Sequence, residues 1–279
     1  MLDRTGSLAH SLSAALTPLH PAERLAELRR TLSGRIVFTH GFGVEGQLIF
    51  HWLCEQGLDI DVVTLDTGRL FPETYALWAE TERRYGRAIR AIYPERAALE
   101  AMVARYGING FYDSKQARHA CCDARKVRPL DAALDGAAAW ITGARADQTE
   151  TRREAGLASI DVSRGRIKFN PLFDWTRGEV DAAVESLGVP VNALHGQGFV
   201  SIGCAPCTRA VAPGEPERNG RWWWETSGEK ECGLHVPRAG GAQREVAACG
   251  CLKPPTRPAP ARPAATAGAP DRCCGCTTG

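Results

Sequence analysis

The chain has 279 residues and a mass of 30.1 kDa, enough to remove about three quarters of its extended surface from water without disulfide staples. Its 34 Lys and Arg against 32 Asp and Glu leave a net charge of +2, too small for a global electrostatic case for nucleic acid or a membrane surface. No run of 18 apolar residues is present to cross a bilayer, and residues 1–30 show no apolar core before a cleavage site, so a reducing cytoplasm is expected, with neither membrane nor nucleic acid as partner.

Residues 1–34 read as an N-terminal helical segment. Residues 35–39 (RIVFT) are a short β-type run, followed by a glycine-rich turn and helical spacing over 45–55. The next apolar strand is 59–66 (DIDVVTLD), then a helix over Pro72–Tyr85 with proline at its start, and a third strand at 88–93. Helices are expected at 96–105, 115–134 and 176–187, with a strand at 138–142. Strands that alternate with helices imply parallel crossovers, hence an α/β fold: an open, mostly parallel sheet with helices on both faces. Residues 35–238 form the expected main domain. From 239 to 279 the chain has ten Ala, six Pro, six Gly and five Cys, with only Val246 and Leu252 as large aliphatics. Such a tail cannot bury enough apolar surface to offset its ordering entropy, and disorder is expected there.

Gly41-Phe42-Gly43-Val44-Glu45-Gly46 is a literal G-x-G-x-x-G between a strand and a helix, and Asp66 follows Gly46 by twenty residues. That pattern matches the dinucleotide fingerprint with its ribose acid, which points to a nicotinamide or flavin oxidoreductase. Glycines at a helix start also let backbone N–H groups approach any phosphate, and a tight turn without a ligand is the plain alternative.

Six cysteines precede the tail. Cys54 sits in an apolar helix as a core thiol. Cys204-Ala-Pro-Cys207 is a C-x-x-C pair whose natural complement is Cys121-Cys122. Four thiolates suit zinc or a [4Fe–4S] cluster. Neighbouring side chains on a helix diverge by about 100°, which favours a cubane over a single tetrahedral ion. Two structural cysteines beside an unrelated C-x-x-C remain the alternative. Cys232 stands alone between Lys230 and His235. Cationic neighbours favour a thiolate nucleophile; a free surface thiol is the rival reading. The nearby Arg209, Arg218, Arg221 and Lys230 suit an anionic substrate.

With those residues in view, the chain resembles the sulfonucleotide reductases, in particular the assimilatory adenylyl-sulfate reductases. The resemblance rests on LDTGRLFPETY (65–75), CCDARKVRPL (121–130), ITGARADQTETR (141–152), NPLFDW (170–175), the long stretch 194–225 and KECGLH (230–235). It implies an adenine-nucleotide α-hydrolase-like fold and a [4Fe–4S] cluster on Cys121, Cys122, Cys204 and Cys207. It implies Cys232 as nucleophile, with Lys126 and His235 assisting, and substrate contacts from Gly41, Gly43, Asp66, Arg145, Arg218, Arg221 and Lys230. The implied reaction is thioredoxin- or glutaredoxin-dependent reduction of adenosine 5′-phosphosulfate to sulfite and AMP, in sulfate assimilation and cysteine biosynthesis. The 3′-phosphorylated nucleotide (PAPS) is the alternative substrate, and a homo-oligomer is compatible with the family. A nicotinamide oxidoreductase and a non-enzymatic iron–sulfur or zinc protein are the readings from other classes. The chain departs from the family pattern at His40 and Gly41, where serines are common, at Ala146, and in its tail. Cys249, Cys251, Cys273, Cys274 and Cys276 could form a metal-binding or thiol-exchange arm.

Overall fold

The computed structural model describes residues 2–225 and 231–234. In chain order the elements are α1 (Leu2–Leu16), α2 (Pro21–Thr31), β1 (Ile36–Thr39), α3 (Val44–Glu55), β2 (Asp61–Leu65), α4 (Pro72–Tyr85) and β3 (Arg90–Ile92). Then follow α5 (Arg96–Tyr106), α6 (Lys115–Cys122), α7 (Arg128–Leu134), β4 (Ala139–Ile141), α8 (Glu150–Arg153), β5 (Ala158–Asp161), β6 (Arg166–Phe169) and α9 (Arg177–Ser186). The strands form one sheet in the order β3-β2-β1-β4-β6-β5, parallel except for the β5–β6 hairpin.

Strand alternation explains the two-faced burial. Ile36, Phe38 and Val62 point into a large apolar cluster with α1, α2, α3 and α9, while Val37 and Val63 point the other way, against Leu130, Ala133 and Leu134 of α7. Central strands covered on both faces must read as continuous apolar runs, as β1 does. The first two helices belong to this core: Leu12, Leu16, Leu25 and Leu28 are buried in it. Arg24 of α2 ties them to the β6 side through Asp174 at 2.6 and 2.7 Å and the Pro171 carbonyl at 2.8 Å.

The expected strands and helices are present, with ends that agree to within two residues, and two features differ. The single helix expected over 115–134 is broken by a π turn at Asp123–Val127, where the N–H of Arg128 donates to the carbonyl of Asp123. The β5–β6 hairpin was not expected. The chain runs β1, β2, β3 in one direction, then returns to place β4 on the other side of β1. That reversal opens a crevice at the carboxyl ends of β1 and β4, where ligands of such sheets bind.

Candidate active site

A cleft of about 260 Å³ occupies that crevice. The loop from β1 to α3 forms one wall, and Gly41 and Gly43 both line it. Gly43 is the N-cap of α3 and has no side chain to cap the helix, so the first N–H groups of α3 stay available to an anion. Phe42 between the two glycines has φ +56°, a left-handed conformation that costs a bulky residue about 1–3 kcal/mol and is held by the surrounding fold. Across the cleft Gly143, just after β4, comes so close that a Cβ there would stand 3.0 Å from that of Glu45.

His40 is buried beneath the loop, its Nδ1 accepting from the N–H of Phe42 at 3.2 Å. Burial pushes its pKa down to about 3, only partly offset by Gln47. Because the unfolded chain then binds a proton that the folded one refuses, stability should fall with acidification between pH 6.5 and about 3. The expected slope from this group is about 1.4 kcal/mol per pH unit. Urea unfolding of wild type and His40→Gln at pH 6.5 and 5 checks it: the variant should lose that part of the acid sensitivity.

The opposite wall carries cations. Lys126, Arg152, Arg218 and Arg221 all line the cleft, and so does Cys232. Burial works against the charge of Lys126, but the neighbouring thiols of Cys204, Cys232 and Cys122 outweigh it and hold its pKa above the ordinary lysine value. Burial, and then the charge of Arg152, press Arg218 down to about 10. Trp222, buried and itself left-handed at φ +42°, is the platform of this wall. The guanidinium carbons of Arg118 and Arg221 stand 4.7 and 4.8 Å from its ring centroid, and that of Arg218 stands 6.0 Å away. Trp222 thus packs the arginine segment. On its other side Arg221 presses on Gly203, where a Cβ would lie 2.5 Å from Cζ and 2.8 Å from Nη1. Gly203→Ala should therefore move the guanidinium, the free end of a flexible side chain, at a stability cost of about 1 kcal/mol, while turnover falls about 10- to 100-fold. Thermal unfolding and steady-state rates on the same preparation separate the two effects.

A smaller enclosed cavity adjoins the cleft and is lined by Cys121, Cys122, Cys204 and Cys207, with Phe111 and Trp222 closing it. Cys121 and Cys122 end α6, and Cys204 and Cys207 bracket a short 3-10 turn. Burial pushes Cys122 to about 12 and Cys207 to about 11. Cys204 ends below the ordinary thiol value: burial opposes its ionisation, but Lys126, Thr67 and Arg221 prevail. Among the described residues no three His, Cys, Asp or Glu side chains are arranged to hold a metal ion. Lys126, Cys204 and Trp222 line both cavities.

Other expected site residues serve the frame. Asp66 organises its loop, its Oδ1 accepting from the N–H of Gly68 and the hydroxyl of Tyr75, both at 2.8 Å. Arg145 is fully buried behind the wall, where Glu45 at 2.8 Å, Glu217 at 2.9 Å and Asp147 engage its guanidinium. Cys54 is half-buried at the edge of the core rather than inside it. Lys230, His235 and the tail cysteines lie outside the described residues. Arg152 and Glu231 escaped sequence reasoning, although both fall within the quoted motifs; their roles depend on a contact across 79 residues.

Loop, crevice and sheet order define an open, mostly parallel α/β protein whose site lies at the carboxyl ends of the strands. The model of the phosphoadenosine phosphosulfate reductase domain matches residues 35–210, and the chain belongs to that family of enzymes. It is 54% identical over 224 residues to an adenosine 5′-phosphosulfate reductase of Rhizobium meliloti, covering 80% of this chain and 84% of the relative. It is 47% identical over 228 residues to one of Allochromatium vinosum, covering 81% and 89%. The crystal structure of a phosphoadenylyl-sulfate (PAPS) reductase from Candida auris, in a phosphate complex, shares the fold with a TM-score of 0.62 at 24% identity, covering 73% of this chain and 96% of that one. Membership sets aside the nicotinamide and non-enzymatic readings. No helix among the described residues is long and apolar enough to cross a membrane.

Proposed function

We propose that this chain reduces adenosine 5′-phosphosulfate to sulfite and AMP through a sulfonated cysteine. The observation that carries the reading is the presence of Cys232 in the same cleft as the glycine loop and four cationic side chains. The nucleotide phosphate would meet the N–H groups of α3, and Lys126, Arg152, Arg218 and Arg221 would neutralise the oxygens that otherwise shield the sulfur from an anion. The Cys232 thiolate attacks that sulfur, a sulfur–sulfur bond forms, and the bridging sulfur–oxygen bond breaks with its electron pair passing to AMP. A dithiol partner of the thioredoxin or glutaredoxin type then attacks the Cys232 Sγ. Sulfite departs with the electron pair, and the partner's second thiol resolves the mixed disulfide, so the partner is oxidised as Cys232 returns to its thiol.

The four thiols of the adjoining cavity match a [4Fe–4S] cluster in donor chemistry, and Cys121, Cys122, Cys204 and Cys207 would hold it. When bound it supplies a buried negative charge beside Lys126, and Lys126 faces both that cavity and the cleft. The 5′-phosphosulfate rather than its 3′-phosphorylated form is supported by the relatives at 47–54% identity, which are adenosine 5′-phosphosulfate reductases.

The test is incubation with adenosine 5′-phosphosulfate in the absence of reductant. The peptide containing Cys232 should gain one sulfonate, and thioredoxin should then release stoichiometric sulfite. Turnover without that modification would overturn the reading, and parallel assays with PAPS decide the substrate.

A further inference from the structure

The carboxylate of Glu231 lies between two of the cations just assigned to the substrate. Its Oε1 accepts from Nε of Arg152 at 3.2 Å, and its Oε2 accepts from Nη2 of Arg218 at 3.1 Å and Nη2 of Arg152 at 3.4 Å. All three side chains are largely withdrawn from water, 5% exposed for Glu231 and 12% for each arginine. All three line the cleft with Cys232, the next residue after Glu231. Two guanidiniums this close and this dry repel each other unless an anion lies between them. In the structure that anion is a side chain adjoining the nucleophile.

We propose that Glu231 is a positioning residue which occupies the substrate's anion site on Arg152 and Arg218, so that an incoming oxyanion displaces its carboxylate and lets the Cys232 side chain shift. The inference rests on the cleft being the sulfonucleotide site proposed above. A sulfate or phosphate group brought to the same two guanidiniums would otherwise share a poorly solvated space with a like charge. A ligand shifts a conformational equilibrium only by its differential affinity for the two states. Here the difference is the exchange of one anion for another on the same donors. The rest of the segment stays tethered. Arg118 holds the Glu231 carbonyl at 2.7 Å, and Leu234 packs on the apolar cluster of Val37, Val63 and Trp140. Exchange therefore swings Cys232 between two fixed points.

The experiment follows alkylation of Cys232 by iodoacetamide in the full chain, read on its peptide by mass spectrometry, with inorganic sulfate as the probe anion. In wild type, sulfate should speed alkylation at least threefold; in Glu231→Gln, which keeps the shape and loses the charge, alkylation should be fast already and indifferent to sulfate. Steady-state assays of the variant should show KM for the sulfonucleotide lowered at least threefold, since no carboxylate need be displaced, and kcat lowered because Cys232 is less well held. A purely structural tether predicts no response of the wild type to sulfate and a KM that stays or rises; either result overturns the proposal. The wild-type measurement stands even if the variant folds poorly. Failure of the functional reading is a separate result: no sulfite from either sulfonucleotide, whatever sulfate does to alkylation.

Discussion

Replacing Cys232 by serine should lower sulfite release by at least about a thousandfold while leaving the fold intact. The two side chains differ by one atom, and Cys232 is only partly buried at the rim of the thiol cluster, so no cavity or clash follows. What changes is the nucleophile. A serine hydroxyl remains protonated near neutral pH, and its attack would give a sulfate ester from which no thiol could release sulfite. The expected signature is loss of turnover at unchanged urea midpoint, with the nucleotide still bound through α3 and the cation wall. Retained sulfite production would place the nucleophile elsewhere. Cys204, whose pKa is drawn down beside Lys126, would then be the first thiol to examine.

Arg118→Ala should be the most destabilising single change in the site. The guanidinium is 1% exposed and pairs with Glu225, itself 5% exposed, at 2.6 Å. It also reaches the Glu231 carbonyl at 2.7 Å and covers the ring of Trp222. Truncation leaves the Glu225 carboxylate dry and uncompensated, an effect of about 3–5 kcal/mol. For a chain of this size that lowers the melting temperature by about 10 °C. The double variant Arg118→Met, Glu225→Met should recover most of the loss, because replacing both charges removes the stranded one. Activity should not recover with stability, since the Glu231 carbonyl has lost its donor and the segment bearing Cys232 its anchor. Melting curves and turnover measured on the three proteins separate the two roles.

The parallel part of the fold was legible because buried central strands announce themselves. RIVFT and DVVTL are apolar and β-branched, and proline or glycine marks the helices beside them. The β5–β6 hairpin was not legible. ASID and RIKF are four residues each and carry charge, and ASID is the edge strand, where one open side weakens the apolar signal. The π turn was hidden for a different reason. Residues 115–134 keep helical spacing, which masks the one mark of the break: Pro129, with no N–H to donate and a ring that crowds the carbonyl four residues back, stands just after the π turn. At the site, spacing alone picked out the thiols and the glycine loop, since short motifs carry their geometry with them. Which arginines face the cleft could not be read that way. Arg145 and Arg152 are both basic and seven positions apart, yet one is locked behind the wall by three carboxylates and the other opens onto it.

The crossing of the chain from β3 back to β4 also has a consequence for biosynthesis. All six strands are complete by Phe169, so a nascent chain can assemble the sheet and the glycine loop before residues 204–234 have left the ribosome. Two of the four cleft cations, Lys126 and Arg152, precede that final stretch, while Arg218 and Arg221 lie within it and Cys232 follows all four. Until residues 204–234 emerge, the finished sheet lacks Cys232 and two of the cleft's four cations.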